Sequence, residues 1–181
     1  MTKSHHVRTS DRRTCSGLQH ADFLLVGGGL ASATAAESLR AGAETGSVMM
    51  LSAEQLAPYY RPPLSKGLLL ESKDEARIFI HPESFYRDRA IELRLNTRVL
   101  SVDTSKQIVK TANGEISYGQ LLIATGGIPN PLRVPGTALP GVFNLHFKGD
   151  ADAIRRAASN AKRAVVIGGS FLGMEVAMSL L

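Results

Sequence analysis

Cysteine is almost missing. Cys15 is the only one in 181 residues, so the chain can close no internal disulfide and holds no C-x-x-C redox pair. His5, His6 and His20 with Cys15 match no zinc spacing, which leaves no metal site to expect. No apolar run reaches the ~18 residues a membrane-crossing helix needs. The N-terminal residues also lack the apolar core of a secretory signal, so the expectation is a soluble, cytoplasmic protein without a membrane partner. The formal net charge is +5, but Lys3, Arg8, Arg12 and Arg13 outnumber Asp11 in residues 1–20 and carry most of that excess. A basic tail is not a nucleic-acid face, and no such partner is expected. Residues 1–20 are polar and without apolar periodicity, and read as disordered.

What remains is ordinary in composition, 44% hydrophobic and 20% charged, and long enough for one domain and part of another. Its organising stretch is Phe23 to Ser32, FLLVGGGLAS: an apolar strand, three glycines, then the Ala/Leu/Glu-rich helix Leu30 to Arg40. Gly27 suits the tight turn, Gly29 lets backbone approach a pyrophosphate, and Ser32 stands at the third glycine's place, small enough for helix-to-strand packing. The helix N-terminus supplies free N–H groups and the positive end of its dipole. A second apolar strand, Val48 to Leu51, completes a βαβ unit. Glu54 follows at about the place, some 20 residues on, where an acid meets the adenosine ribose.

Further along, Pro58-Tyr59-Tyr60-Arg61-Pro62-Pro63-Leu64-Ser65-Lys66 forms a proline-stiffened corner that opens a helix and fixes Arg61 and Lys66. Lys73 to Arg77 reads as a charged loop, Ile78 to Ile80 as extended, and Glu83 to Arg89 as a short helix after Pro82. The period then changes to two. Ile91 to Leu95, Val99 to Asp103 and Gln107 to Lys110 read as a small antiparallel meander, with Asn113-Gly114 as a type I′ hairpin turn. Leu121 to Ala124 returns as an apolar strand ending in Thr125-Gly126-Gly127, where backbone can come close to a ligand. Four prolines make residues 128–141 a linker. Val142 to His146 reads as a strand and Asp150 to Ala161 as a helix with acids first and arginines later.

The opening pattern then recurs: strand Ala164 to Ile167, turn Gly168 to Gly173, and an apolar helix from Phe171 or Met174 to Leu181. Neither glycine turn ends in the lysine of a P-loop, and neither has the G-x-S-x-G spacing of a hydrolase elbow. Two dinucleotide-type turns in one chain are the reading that survives.

VGGGLAS, PYYRPPLSK, LLIATGG, VPGTALPGVF, DADAIR and VVIGGSFLGMEVA, in this order, resemble the FAD-dependent pyridine-nucleotide reductases of the ferredoxin reductase, rubredoxin reductase and apoptosis-inducing-factor type. The resemblance runs from about Asp22 to the C-terminus. It implies a Rossmann-like α/β FAD-binding domain with a small antiparallel meander over 21–127, and the truncated start of a second Rossmann-like NAD(P)-binding domain over 142–181. By this resemblance Gly27, Gly29 and Ser32 face the FAD pyrophosphate, Glu54 the ribose, Arg61 and Lys66 the flavin. Val99 touches the adenine through its backbone, and Thr125 and Gly126 border the cofactor. Gly168, Ser170 and Gly173 belong to the NAD(P) half, and Lys66 pairs with Glu175 beside the flavin ring. Some members carry the ribose acid one residue earlier, where this chain has Ala53.

Relatives such as glutathione reductase pass electrons to a cysteine pair, which this chain lacks. A ferredoxin- or rubredoxin-type carrier is therefore the expected acceptor of electrons drawn from NAD(P)H through FAD. The alternative is a redox-responsive flavoprotein with an interaction role, like the apoptosis-inducing factor. The 181 residues resemble an N-terminal fragment of a chain about twice as long, and alone are expected to be inactive.

Overall fold

The computed structural model describes residues 18–70, 72–130 and 132–181. At its centre is a six-stranded sheet in the order β3-β2-β1-β6-β5-β4. The strands are β1 Gln19–Val26, β2 Val48–Leu51, β3 Ile91–Arg94, β4 Val99–Asp103, β5 Ile108–Thr111 and β6 Gly114–Ile123. β1 runs parallel to both β2 and β6, and β2 to β3. β5 joins β6 and β4 antiparallel.

Parallel strands covered on both faces need apolar side chains pointing both ways, and so lose the alternating pattern. All four residues of Val48–Leu51 are buried, as are Leu24, Leu25 and Val26. The pleat sorts them. Leu24, Val26, Met49 and Leu51 pack with Val109, Ile116 and Tyr118 on one face, and Leu25, Val48 and Met50 with Ala36, Tyr86 and Ile91 on the other. Burying one such aliphatic side chain is worth roughly 1.5–3 kcal/mol, so a one-residue slip that swapped the two faces would forfeit several of these terms at once.

Helix α1 (Leu30–Ala41) lies on the second face and buries only small residues, Ser32, Ala33 and Ala36, which lets it approach the sheet closely. Arg40 in its last turn donates to four carbonyls, those of Arg89, Glu44, Gly46 and Ala90, at 2.7–2.9 Å. It ties the end of α1 to the loop before β2 and to the chain after α3 (Glu83–Asp88). A 3-10 turn, Pro62–Ser65, leads into α2 (Gly67–Leu70), and a second one spans Ser72–Ile78. Tyr59, Leu64, Leu68, Leu69 and Ile78 form a third cluster with Ala151 of α4 (Lys148–Ala158). The last element is α5 (Phe171–Ser179).

Several expectations are corrected. β1 begins at Gln19, so the end of the basic tail is strand, with His20 Nδ1 2.9 Å from Ser117 Oγ; tail residues 1–17 lie outside the described residues. Ile91–Arg94 does not belong to the meander. Ile91 is needed in the second-face cluster, and β3 pairs in parallel with β2. The antiparallel part is β4-β5-β6 and is continuous with the main sheet, because β6 pairs with β5 through its first residues and with β1 from Ile116 to Ile123.

The hairpin turn is not type I′. Thr111 pairs with Gly114, which puts Ala112 and Asn113 at its centre, and the positive φ of +127° falls on Gly114 alone. Thr111 Oγ1 accepts from the Asn113 amide and donates to the Gly114 carbonyl, holding that turn in place.

The segments 142–146 and 164–167 form no strand among the described residues. A strand exists only with a neighbour to bond. Val165 and Ile167, 87% and 77% exposed, have none. Residues 128–141, Pro131 aside, carry no helix or strand, as expected.

Candidate functional site

Three strand ends meet at the first glycine turn. The Gly27 amide donates to the Leu51 carbonyl of β2, 2.9 Å, and the Ala124 amide, just after β6, donates to Val26 of β1, 2.8 Å. The turn therefore sits at the carboxyl edge of the sheet, where β2 lies on one side of β1 and β6 on the other, the place where open α/β sheets bind ligands. Gly27 has φ +128°, and a Cβ there would lie 2.1 Å from the Ala124 carbonyl oxygen. A Cβ on Gly28 would meet Ser52 Oγ at 2.1 Å. Gly29, the N-cap of α1, faces open space. Two glycines thus seat the turn against the sheet, and the third keeps its outer side clear. Gly126, with φ +69°, is likewise open, and Thr125 beside it is exposed. Ser32 is fully buried, and its hydroxyl has no partner. Its place is in the packing of α1.

The end of β2 continues into residues 52–54, whose backbone is held by the turn after β3: Thr97 N donates to Ser52 O at 2.7 Å and Asn96 N to Glu54 O at 2.9 Å. This brings Val99, at the start of β4, alongside the first-face cluster. Glu54 turns the other way. Its Oε2 accepts from Tyr59 OH at 2.5 Å and its Oε1 from Arg61 Nη2 at 3.2 Å. Burial first, and then donation to Glu54, raise the Tyr59 hydroxyl well above the ordinary tyrosine range.

The proline corner does what its sequence promises. Pro62–Ser65 forms the 3-10 turn with proline in its first positions, and Lys66 follows at its exposed end. Lys66 Nζ lies 3.2 Å from Glu175 Oε1, while Ser65 Oγ donates to Glu175 Oε2 at 2.6 Å. Ser179 Oγ donates to the Ser65 carbonyl at 2.8 Å. The Ser65 hydrogen bond, with Lys66 as the lesser contributor, holds the Glu175 carboxyl below the usual range. Glu175 is thus ionised and aimed by two neighbours.

The second glycine turn precedes α5. Gly168 has φ +117°, Ser170 is the N-cap, and a Cβ on Gly173 would lie 2.1 Å from the Gly168 carbonyl oxygen. Gly173 is therefore the close-packing glycine of this turn, and Gly168 and Gly169 stay open. Between the corner and α5 lies a cavity of about 460 Å³, lined by Arg61, Ser65, Lys66, His146, Phe171 and Glu175 among others. It suits one ring system with its immediate substituents. Ser65, Tyr59 and the His146 backbone were not singled out from sequence as site groups. Each acts across 85 or more positions, where no local periodicity reaches.

Residues 21–181 match the family model described as pyridine nucleotide-disulphide oxidoreductase. Among similar proteins, the ferredoxin reductase subunit of the 5,5'-dehydrodivanillate O-demethylase of a Sphingobium species is 39% identical, over 90% of this chain and 40% of its own length. The rubredoxin-NAD(+) reductase of Pseudomonas putida is 39% identical, over 86% and 40%. Among solved structures, the ferredoxin reductase for the CYP199A2 system of Rhodopseudomonas palustris aligns with TM-score 0.83 and 36% identity, over 88% of this chain and 40% of that one. The reductase in a covalent putidaredoxin reductase-putidaredoxin complex aligns with TM-score 0.82 and 32% identity, over 88% and 39%. The chain thus spans about 40% of the length of the relatives it matches. With its sheet order, its two glycine turns and this match over all but its first residues, it belongs to the pyridine nucleotide-disulphide oxidoreductase family.

Proposed function

We propose that the whole protein is an FAD-dependent NAD(P)H reductase that hands electrons to a ferredoxin- or rubredoxin-type carrier in the cytoplasm. In this reading residues 21–127 belong to the FAD domain, 128–141 to a linker and 142–181 to the start of the NAD(P) domain. The carrying observation is the cavity walled on one side by Arg61–Lys66 and on the other by the first turns of α5, with the Lys66–Glu175 pair inside it.

The residues present fit such cofactors. Gly27 and Gly28 admit no Cβ while Gly29 is open, which is the shape a pyrophosphate needs to reach the N-terminus of α1. Gly168 and Gly169 are open in the same way before α5. When bound, a flavin takes a hydride from reduced nicotinamide and releases the electrons singly to a carrier. The chain's own part is placement. Lys66 presents a positive charge to the cavity, and Glu175, fixed by Ser65, keeps that ammonium in position instead of free to swing into solvent, a preorganised field of the kind that favours negative charge developing nearby. Relatives named as ferredoxin or rubredoxin reductases support the choice of acceptor.

The test is purification of the whole protein followed by anaerobic mixing with NADH or NADPH. A yellow protein with stoichiometric FAD, bleached by one of the two nucleotides and reoxidised by a [2Fe–2S] ferredoxin or a rubredoxin, is the expected result. A colourless protein that takes up no FAD would overturn the reading. A yellow one that neither nucleotide reduces would remove the reductase function.

A further inference from the structure

We infer that Glu54 is a positioning residue that holds Arg61 and Tyr59 against the chain entering α4, and that its carboxylate is not the group that meets the ribose of a bound dinucleotide. The second half rests on the FAD reading given above; the first stands on geometry alone.

Both oxygens of the Glu54 carboxylate are engaged within the chain, one by Tyr59 OH at 2.5 Å and one by Arg61 Nη2 at 3.2 Å. The two donors do not stop there. Arg61 Nη1 donates to the His146 carbonyl at 2.6 Å, and Tyr59 OH accepts from the Lys148 amide at 3.1 Å. Between these two grips the Arg61 guanidinium lies 5.1 Å from the centre of the Phe147 ring and 5.9 Å from that of Tyr59, a cation held over aromatic faces. Three consecutive residues, His146, Phe147 and Lys148, are thus held by side chains of the proline corner, and Glu54 is the group that orients both of those side chains.

The chemistry explains the choice. A carboxylate that turned out to a ribose would abandon one charge-assisted hydrogen bond, to Arg61, and leave the buried Tyr59 hydroxyl without its acceptor, in exchange for at most two bonds to hydroxyls that water serves equally well. The neighbouring position, exposed at the end of β2, is Ala53 and offers no acid. What the chain gains is a fixed spacing between the corner that carries Lys66 and the segment that leads into α4, which adds Leu145 and His146 to the lining of the cavity.

The experiment uses the whole protein and three variants, Glu54→Ala, Glu54→Gln and Tyr59→Phe, with circular dichroism confirming that each folds. Backbone hydrogen exchange is followed in a peptide covering 145–149, and ADP, which carries the ribose but no flavin, is titrated into the flavin-free protein. Loss of a net hydrogen bond corresponds to about fivefold faster exchange, which is expected for Glu54→Ala and Tyr59→Phe. A smaller rise is expected for Glu54→Gln, which keeps a neutral acceptor. ADP affinity should stay within about twofold for Glu54→Ala. Exchange in 145–149 that does not change with Glu54→Ala would overturn the positioning role, and a fall of about tenfold in ADP affinity would return Glu54 to the ribose. A parent protein that binds neither ADP nor FAD would count against the dinucleotide site itself, while the exchange result would still decide whether Glu54 holds the corner.

Discussion

Ser65 Oγ donates to Glu175 Oε2 at 2.6 Å across 110 positions of sequence, and the same carboxylate takes Lys66 on its other oxygen at 3.2 Å. Two adjacent residues of the proline corner thereby hold one residue of α5. Lys66→Met in the whole protein removes the charge at this meeting point while leaving both glycine turns intact. FAD should stay bound, and its reduction by NAD(P)H should slow by about two orders of magnitude, the low end of the loss expected for one preorganised donor because Lys66 is half exposed. Unchanged reduction in stopped-flow would remove Lys66 from the reaction.

The pair also carries a pH signature. Ser65, then Lys66, lower the Glu175 pKa, so the arrangement is complete above the ordinary glutamate range and is lost as pH falls through the lowered value. Ser65→Ala removes the larger cause. The acid limb of the reduction rate should then move to higher pH, while the alkaline limb stays in place. An acid limb at the same pH in parent and variant would show that Ser65 does not set the ionisation of Glu175.

The glycines of the first turn should separate stability from binding. Gly27→Ala places a Cβ 2.1 Å from a carbonyl oxygen at a φ that alanine avoids, and should cost about 3 kcal/mol or more of stability. A Cβ on Gly29 meets nothing within 4 Å, so Gly29→Val starts from open space. It should fold and melt close to the parent but lose FAD on dialysis, because its bulk fills the space left for a pyrophosphate. If Gly29→Val keeps its flavin as the parent does, the pyrophosphate does not lie there.

Much of this was legible in the residues themselves. FLLVGGGLAS and VMML gave a strand-turn-helix-strand unit because parallel, doubly covered strands need unbroken apolar runs, and the glycines showed where backbone must pass close. PYYRPPLSK placed a stiff corner because proline fixes φ whatever surrounds it. The Asn-Gly pair marked a hairpin but not its register, which Thr111 sets by its own hydroxyl. Ile91–Arg94 was misgrouped because a short strand's partner depends on which cluster needs Ile91, a tertiary matter. The apolar runs at 142–146 and 164–167 read as strands and pair with nothing among the described residues. Glu54 is placed at the ribose by its spacing and by the family resemblance, and neither says which way a carboxylate turns.

Asp22, in the first half of β1, offers a check away from the glycine turn. Its Oδ2 accepts from both the amide and the hydroxyl of Ser47 at 2.8 Å, and the Ser47 amide is the main cause that lowers its pKa. A carboxyl depressed in the folded state stabilises above its unfolded value of about 3.9 and ceases to do so as pH falls through the lower folded value. Asp22→Asn should therefore melt below the parent at pH 7, with the gap closing below about pH 4. A gap that is constant from pH 7 to pH 3 would mean the ionised carboxylate contributes nothing there.

Tyr86 carries the last prediction. It is 2% exposed in the second-face cluster, edge-on to Phe85 with ring centres 5.4 Å apart, and its hydroxyl is buried without a hydrogen-bond partner. An unpaired buried hydroxyl costs more than the apolar atom it replaces. Tyr86→Phe keeps the ring and deletes only that cost, so the whole protein should gain up to about 1 kcal/mol at neutral pH. Burial also pushes the Tyr86 hydroxyl up to about 12 from 10.0. A raised folded pKa means its neutral form is favoured in the fold, with no pH dependence below the unfolded value. Between about 10 and about 12 the unfolded chain ionises first, and the parent loses stability as pH rises. The phenylalanine variant lacks this group, so its advantage in thermal or denaturant unfolding should widen on going from pH 9 to pH 11. A variant that is less stable than the parent at pH 7 would show that the hydroxyl has a partner, and an advantage that fails to widen would show that it ionises as freely in the fold as outside it.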